Sequence, residues 1–231
     1  MPKLWSENVR LYYLKKEIHR NRKVKEMNVK EMFEKVLNAK YTHLEETASY
    51  AYERVDDTLY IYFEWSNGKT DWKNNFDFPA KPYRDMENMW FAHRGFLKVW
   101  KVIEPHLKKE ICDASVEHIV IGGYSHGAAI ALLCHEYCKF NRPDIMIEGY
   151  GYGCPRVVWG TLTKTVKKRF EGFTMIRNCR DIVTHVPPVL FGYRHVGHIL
   201  KIGTTEGYSL IDSHRPENYL VELSKQGGVD E

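Results

Sequence analysis

The segment Gly123-Tyr124-Ser125-His126-Gly127 has the Gly-x-Ser-x-Gly pattern, which sets a serine on a sharp strand-to-helix turn with its hydroxyl lifted above a sheet. A serine hydroxyl is a weak nucleophile until a base takes its proton, and the base needs an acid to orient it. On a fold that uses this turn the chain order is Ser, then Asp or Glu, then His, so the partners are sought downstream of Ser125. Asp181 is the first choice for the acid, just past a strand expected over 173–178; its plainer reading is an Asx-turn or a surface charge. Asp144, in a Pro-Asp turn expected at the opposite end of the sheet, is a poorer candidate. His185, His195, His198 and His214 follow Asp181, and His214 is preferred because it lies in the polar loop Asp212-Ser213-His214-Arg215-Pro216. The spacing of His195 and His198 puts them on opposite faces of a strand, so at most one faces a site. The competing reading of Ser125 is a simple helix cap.

These residues need elements to bring them together. Residues 117–122 read as a short apolar strand ended by two glycines, and 128–137 as an Ala/Leu-rich helix. A second unit follows, with strand over 145–152, helix over 158–170 and strand over 173–178. Upstream, 48–65 reads as a hairpin turning at Asp56-Asp57, 74–85 as a loop, and 86–107 as a helix. Downstream, 195–211 reads as two strands around Gly203 to Gly207, before a final helix over 217–223. Alternating strands and helices predict an α/β fold with a mainly parallel central sheet covered by helices on both faces. The charged stretch 1–41, with Val29, Phe33, Val36 and Leu37 at helical spacing, is expected to pack as a surface helix on a single domain spanning 1–231.

A formal charge of +4, spread along the 231 residues, is too weak to predict a nucleic-acid partner, though it favours anionic lipid surfaces slightly. No apolar run is long enough for a spanning helix, and the N-terminus has no apolar stretch like that of a signal peptide. The expected compartment is the cytoplasm, with export by another route left open. Five cysteines, an odd number in a chain that needs no staples, predict reduced thiols. Cys134, His135 and Cys138 have a metal-like spacing, but they sit in a helical run where buried cysteine is common, so no metal is expected.

Several segments, in order, make the chain resemble the class 3 lipases, a branch of the α/β-hydrolases. They are Phe63-Glu64-Trp65-Ser66, Asp71-Trp72, His93-Arg94-Gly95-Phe96, Gly123 to Leu132, Tyr152-Gly153-Cys154-Pro155-Arg156, Asp181-Ile182-Val183, Pro187-Pro188, and Asp212 to Leu220. The resemblance implies the same triad, with Ser125 as nucleophile, Asp181 as acid and His214 as base. It implies an oxyanion hole in which Ser66 joins the backbone N–H of His126. It also implies a lid over 82–91, whose apolar members include Tyr83, Met86, Met89 and Trp90. An ordinary core segment is the competing reading for those residues. The chain departs from the family in two places. Trp65 stands where the family has Gly, so it is expected to shape the substrate site, and the Tyr that usually follows the last His closely lies further on, at Tyr219.

The expected function is hydrolysis of carboxylic esters of lipid type through an acyl-enzyme, with no cofactor. The expected partners are a lipid or small ester substrate and transient contact with a lipid surface. Two alternatives stay open: a catalytically impaired lipid-binding or scaffold protein, and a different acyl-transfer hydrolase such as a thioesterase or peptidase.

Overall fold

A computed structural model describes residues 28–45, 48–65, 79–83, 89–204 and 207–226. Helix α1 (Val29–Asn38) is followed by β1 (Thr42–Glu45), β2 (Ala48–Val55), β3 (Thr58–Phe63), β4 (Ala80–Tyr83) and β5 (Trp90–His93). Then come α2 (Arg94–Ile111), β6 (His118–Tyr124), α3 (His126–Asn141), β7 (Met146–Tyr152), β8 (Val158–Trp159) and α4 (Lys164–Lys168). The chain continues through β9 (Phe173–Asn178), β10 (Tyr193–Arg194), β11 (His198–Ile202) and α5 (Pro216–Gln226).

Among the described residues the main sheet has the order β1-β2-β3-β6-β7-β9-β11. The β1/β2 and β2/β3 pairs are antiparallel, and every later pair is parallel. This is the mainly parallel α/β-hydrolase sheet expected, and the hairpin that opens it turns at Asp56-Asp57. The central strand β6 is apolar on both faces because both are covered. Ile119 and Ile121 join the cluster formed with α2 and α3, whereas Val120 and Tyr124 join a second cluster with Met32, Phe33 and Val36 of α1. Burying such an aliphatic side chain contributes about 1.5–3 kcal/mol. Gly122 faces α1, where an added Cβ would collide with Met32 and Val36, so its lack of a side chain lets the helix lie on the strand. Of the charged segment 1–41, residues 1–27 lie outside the described residues.

A small antiparallel sheet, β10-β8-β5-β4, contributes Tyr83, Trp90, Ala92 and Val158 to the cluster formed with α2 and α3. It corrects three local expectations. Residues 90–93 are strand and not the start of a helix, because Phe91 and Ala92 pair with β8 and the His93 N–H donates to Val157. Residues 80–83 are their hairpin partner and not loop. The helix expected over 158–170 is reduced to α4: Val158–Trp159 pairs into the small sheet, Gly160 takes φ +76°, and the Thr163 hydroxyl caps a fresh helix start. Downstream, 208–211 is not strand, because Ser209 binds forward to Asp212 and Ser213 and starts a 3₁₀ turn over Asp212–His214.

Candidate active site

Ser125 occupies the junction between β6 and α3 with φ 55° and ψ −119°. A non-glycine residue at positive φ is strained, and the strain is sustained here by close backbone packing on both sides. A Cβ at Gly123 would strike the Gly127 backbone, and one at Gly127 would strike the Phe63 carbonyl. The Ser125 side chain makes no capping bond to α3, so the helix-cap reading fails. Its Oγ points instead to His214, 2.8 Å from Nε2.

His214 bridges two residues distant in sequence. Its Nδ1 lies 2.8 Å from Oδ2 of Asp181, which is fully buried. An ionised carboxylate only accepts, so this contact places the ring proton on Nδ1 and leaves the Nε2 lone pair for the serine hydroxyl. Burying a carboxylate is costly unless its oxygens are satisfied. Here the Tyr219 hydroxyl donates to Oδ2 at 2.6 Å and the Val183 N–H donates to Oδ1 at 2.8 Å. Burial, with the Asp181 charge second, pushes the Tyr219 phenol well above its ordinary range and keeps it a donor.

Asn178, the last residue of β9, fixes the two loops relative to each other. Its Nδ2 donates to the Ser213 carbonyl at 3.0 Å, its carbonyl accepts from the Asp181 N–H at 3.0 Å, and its own N–H donates to Tyr219 at 3.1 Å. Gly153 takes φ +59° beneath the pair, and a Cβ there would stand 2.8 Å from His214 Cε1 and 3.0 Å from Asp181 Oδ2. Tyr219, Asn178 and Gly153 were not singled out from the sequence as site residues. The available signal was the i, i+4 pair Tyr219 and Leu223, which marks the sheet-facing side of α5.

The other histidines that follow Asp181 lie away from Ser125. His195 Nε2 bonds the Thr184 carbonyl at 2.7 Å, His185 bonds Arg177 and the Asp181 carbonyl, and His198 lies exposed on β11. Asp144 pairs with Arg142 beyond α3, at the far end of the sheet.

His126 opens α3, where a helix presents backbone N–H groups to an anion. Its imidazole is buried edge-on against Phe96, and burial, with His93 second, pushes it down to about 4, so the ring is neutral near pH 7. Ser66 and Met86 lie outside the described residues, as does Asp71-Trp72. The Trp65 indole packs on Tyr41 and Tyr124 in the α1 cluster, with centroids 6.4 and 6.3 Å apart. Tyr83 and Trp90 are buried neighbours across the β4/β5 hairpin, their rings 5.2 Å apart, and Trp100 Nε1 donates to the Tyr83 hydroxyl. Tyr83 and Trp90 are both buried, while Met89 is exposed. The Cys134 and Cys138 sulfurs lie 4.0 Å apart, buried inside α3.

Comparison with known proteins adds a lineage to this geometry. The model of the class 3 lipase family matches residues 60–191, more than half of the chain. A secreted mono- and diacylglycerol lipase of Fusarium solani is 28% identical over 129 residues, covering 54% of this chain and 38% of that protein. A lipase of Rhizomucor miehei is 27% identical over 150 residues, covering 62% and 41%. The chain thus spans about two fifths of the length of these relatives. The crystal structure of a mono- and diacylglycerol lipase from Aspergillus oryzae superposes with a TM-score of 0.58 at 20% identity, covering 83% of this chain and 74% of that one, a likeness of fold. The cytoplasmic expectation is corrected by these comparisons, since relatives such as the Fusarium solani protein are secreted lipases. With the sheet order, the serine turn and the family match in agreement, this chain belongs to the class 3 lipases.

Proposed function

We propose that the protein hydrolyses carboxylic esters of lipid type through an acyl-enzyme on Ser125. The observation that carries the reading is the single imidazole, His214, held between Ser125 Oγ and a buried carboxylate at 2.8 Å on each side. As the serine attacks the ester carbonyl, Nε2 takes its proton, and Asp181 stabilises the imidazolium so formed. The oxyanion is met by the backbone N–H of His126, with Ser66 as the second donor. Collapse of the tetrahedral intermediate expels the alcohol, which takes the proton back from His214. Water then attacks the acyl-serine by the same route in reverse, releasing the acid and the free enzyme.

The substrate class rests on the family and on the surface around the triad. The loops that carry Asp181 and His214 also carry Ile182, Val189, Leu190, Phe191, Leu210 and Ile211, all exposed, with Leu190 at 92% and Ile211 at 73%. An exposed apolar rim of this kind favours contact with a lipid surface. The named relatives include mono- and diacylglycerol lipases, which supports acylglycerols as the substrates to try first.

A panel of p-nitrophenyl esters of graded chain length, set beside a thioester and an amide, tests the reading. Turnover of the esters is expected. Turnover of the thioester or amide with none of any ester would replace it with another acyl transfer, and a folded protein inert to all of them would favour the impaired scaffold that Trp65 brings to mind.

A further inference from the structure

Tyr124, the residue immediately before the nucleophile, touches the base in two ways. Its hydroxyl donates to the backbone carbonyl of His214, and its ring lies against the imidazole with centroids 5.1 Å apart and planes 25° from parallel. Strand alternation explains how it gets there. Tyr124 ends β6 on the same face as Val120 and Gly122, the face covered by α1 and α5, and the Ser125 turn leaves the nucleophile next to it on the rim.

The ring is held from behind. Phe33 of α1 meets Tyr124 edge-on at 5.5 Å and also lies 5.8 Å from Tyr219, the phenol that supports Asp181. Tyr124 and Tyr219 are 5.9 Å apart and nearly perpendicular. One aromatic side chain of α1, a helix outside residues 60–191 of the family match, therefore backs the residues that hold both the base and the acid.

We propose that Tyr124 is a positioning residue for His214, fixing the main chain of the base through its hydroxyl and the plane of the imidazole through its ring, with Phe33 of α1 bracing it. Its neighbours set the alternatives. His214 sits on a short 3₁₀ turn in a surface loop, where Ser209 bonds forward to Asp212 and Ser213, the His214 N–H donates to the Ile211 carbonyl and the Arg215 N–H to the Asp212 carbonyl. An imidazole that must stay within hydrogen-bond reach of two oxygens loses rate steeply when it rocks by a fraction of an ångström. Among the described residues none of the turn's own bonds reaches the His214 carbonyl, and the Tyr124 hydroxyl supplies that contact. The ring face also favours the imidazolium that forms as the serine gives up its proton.

The proposal rests on the ester-hydrolase reading for its kinetics but not for its geometry, so two measurements are made on the full chain. In steady-state ester hydrolysis, Tyr124→Phe keeps the ring and is expected to lose about threefold in kcat. Tyr124→Leu loses both contacts and is expected to lose about thirtyfold, with KM changed less than twofold in either. Phe33→Leu is expected to fall between them, although it touches neither Ser125 nor His214. The second measurement, NMR of the His214 Cε1 proton, needs no turnover. Wild type is expected to give one sharp resonance shifted upfield by the Tyr124 ring, retained in Tyr124→Phe and moved downfield and broadened in Tyr124→Leu. If Tyr124→Leu does not fold, Tyr124→Phe and Phe33→Leu decide the kinetic arm. Wild-type kcat in all folded variants, a loss confined to KM, or an unshifted His214 resonance in wild type would overturn the proposal. An inert wild type with the upfield resonance would sink the hydrolase reading and leave the positioning intact.

Discussion

Tyr219 and Asp181 are 38 positions apart in the chain, yet the tyrosine hydroxyl donates to the carboxylate at 2.6 Å, on the same oxygen that holds His214. That bond is one of the few sources of solvation left to a fully buried carboxylate, and hydrogen bonds to charged groups contribute about 1.5–3 kcal/mol. Tyr219→Phe removes it and also leaves the Asn178 N–H without its acceptor. The variant is expected to melt several degrees lower and to lose about tenfold in kcat, as read by calorimetry and ester turnover. An unchanged rate would show that Val183 and His214 suffice to hold the acid.

The close approach at Gly153 leads to a second expectation. A methyl group there would press on both His214 and Asp181 and would force a side chain into φ +59°. Gly153→Ala is expected to destabilise the fold by about 1–3 kcal/mol and to reduce kcat by about a hundredfold in the protein that remains folded. Retention of full activity would mean that the backbone shifts away from the pair at little cost.

The exposed rim separates action on lipid surfaces from action on dissolved esters. Leu190→Glu and Ile211→Glu place charges on exposed side chains, and Ile211→Glu keeps the main-chain carbonyl that accepts from the His214 N–H. Each is expected to cut hydrolysis of emulsified acylglycerol by about tenfold while leaving a short soluble ester within twofold, and to weaken sedimentation with neutral lipid vesicles. Equal loss on both substrates would assign the rim to folding and not to lipid contact.

Two buried imidazoles, His126 and His135, and the half-buried His195 set the acid stability. Burial is the first cause in each case, pushing His126 and His195 down to about 4 and His135 to about 3. All three are neutral in the folded protein and take up protons on unfolding below the ordinary 6.5. Their contribution is complete above 6.5 and is lost as pH falls through the depressed values, by up to about 1.4 kcal/mol per pH unit for each histidine. Glu136, paired with Arg169 at 3.0 Å, is pushed by burial up to about 7 and works in the opposite direction over the same window. Three groups outweigh one, so urea midpoints are expected to fall between pH 6.5 and 4. A flat or rising midpoint would contradict this burial.

Much of the main sheet was legible because its signals are local. The strand 173–178, the serine turn and the Asp56-Asp57 hairpin each carry a period of two or a turn residue that nothing nearby opposes. The choice of His214 over three other histidines was also legible, because only it lies in a polar loop between the last strand and the last helix. The failures share a cause of another kind. Trp90-Phe91-Ala92-His93 and Val158-Trp159 form strands because they pair with each other across a long separation in sequence, and no window around either segment contains that partner. In the sequence Tyr219 stands further from His214 than the Tyr of the family's usual pattern. The 3₁₀ turn and the start of α5 shorten that distance in space, and helical spacing alone does not show it.

The central claim is that Ser125, His214 and Asp181 act as one unit, and covalent trapping by a fluorophosphonate tests it most directly. Intact-mass analysis is expected to show one adduct per chain, mapped to the peptide bearing Ser125. The adduct should be absent in Ser125→Ala, and labelling should slow by about 10³-fold or more in His214→Ala and Asp181→Asn, with His198→Ala labelled at the wild-type rate. A folded wild type that forms no adduct, or a His214→Ala protein labelled as fast as wild type, would contradict the account.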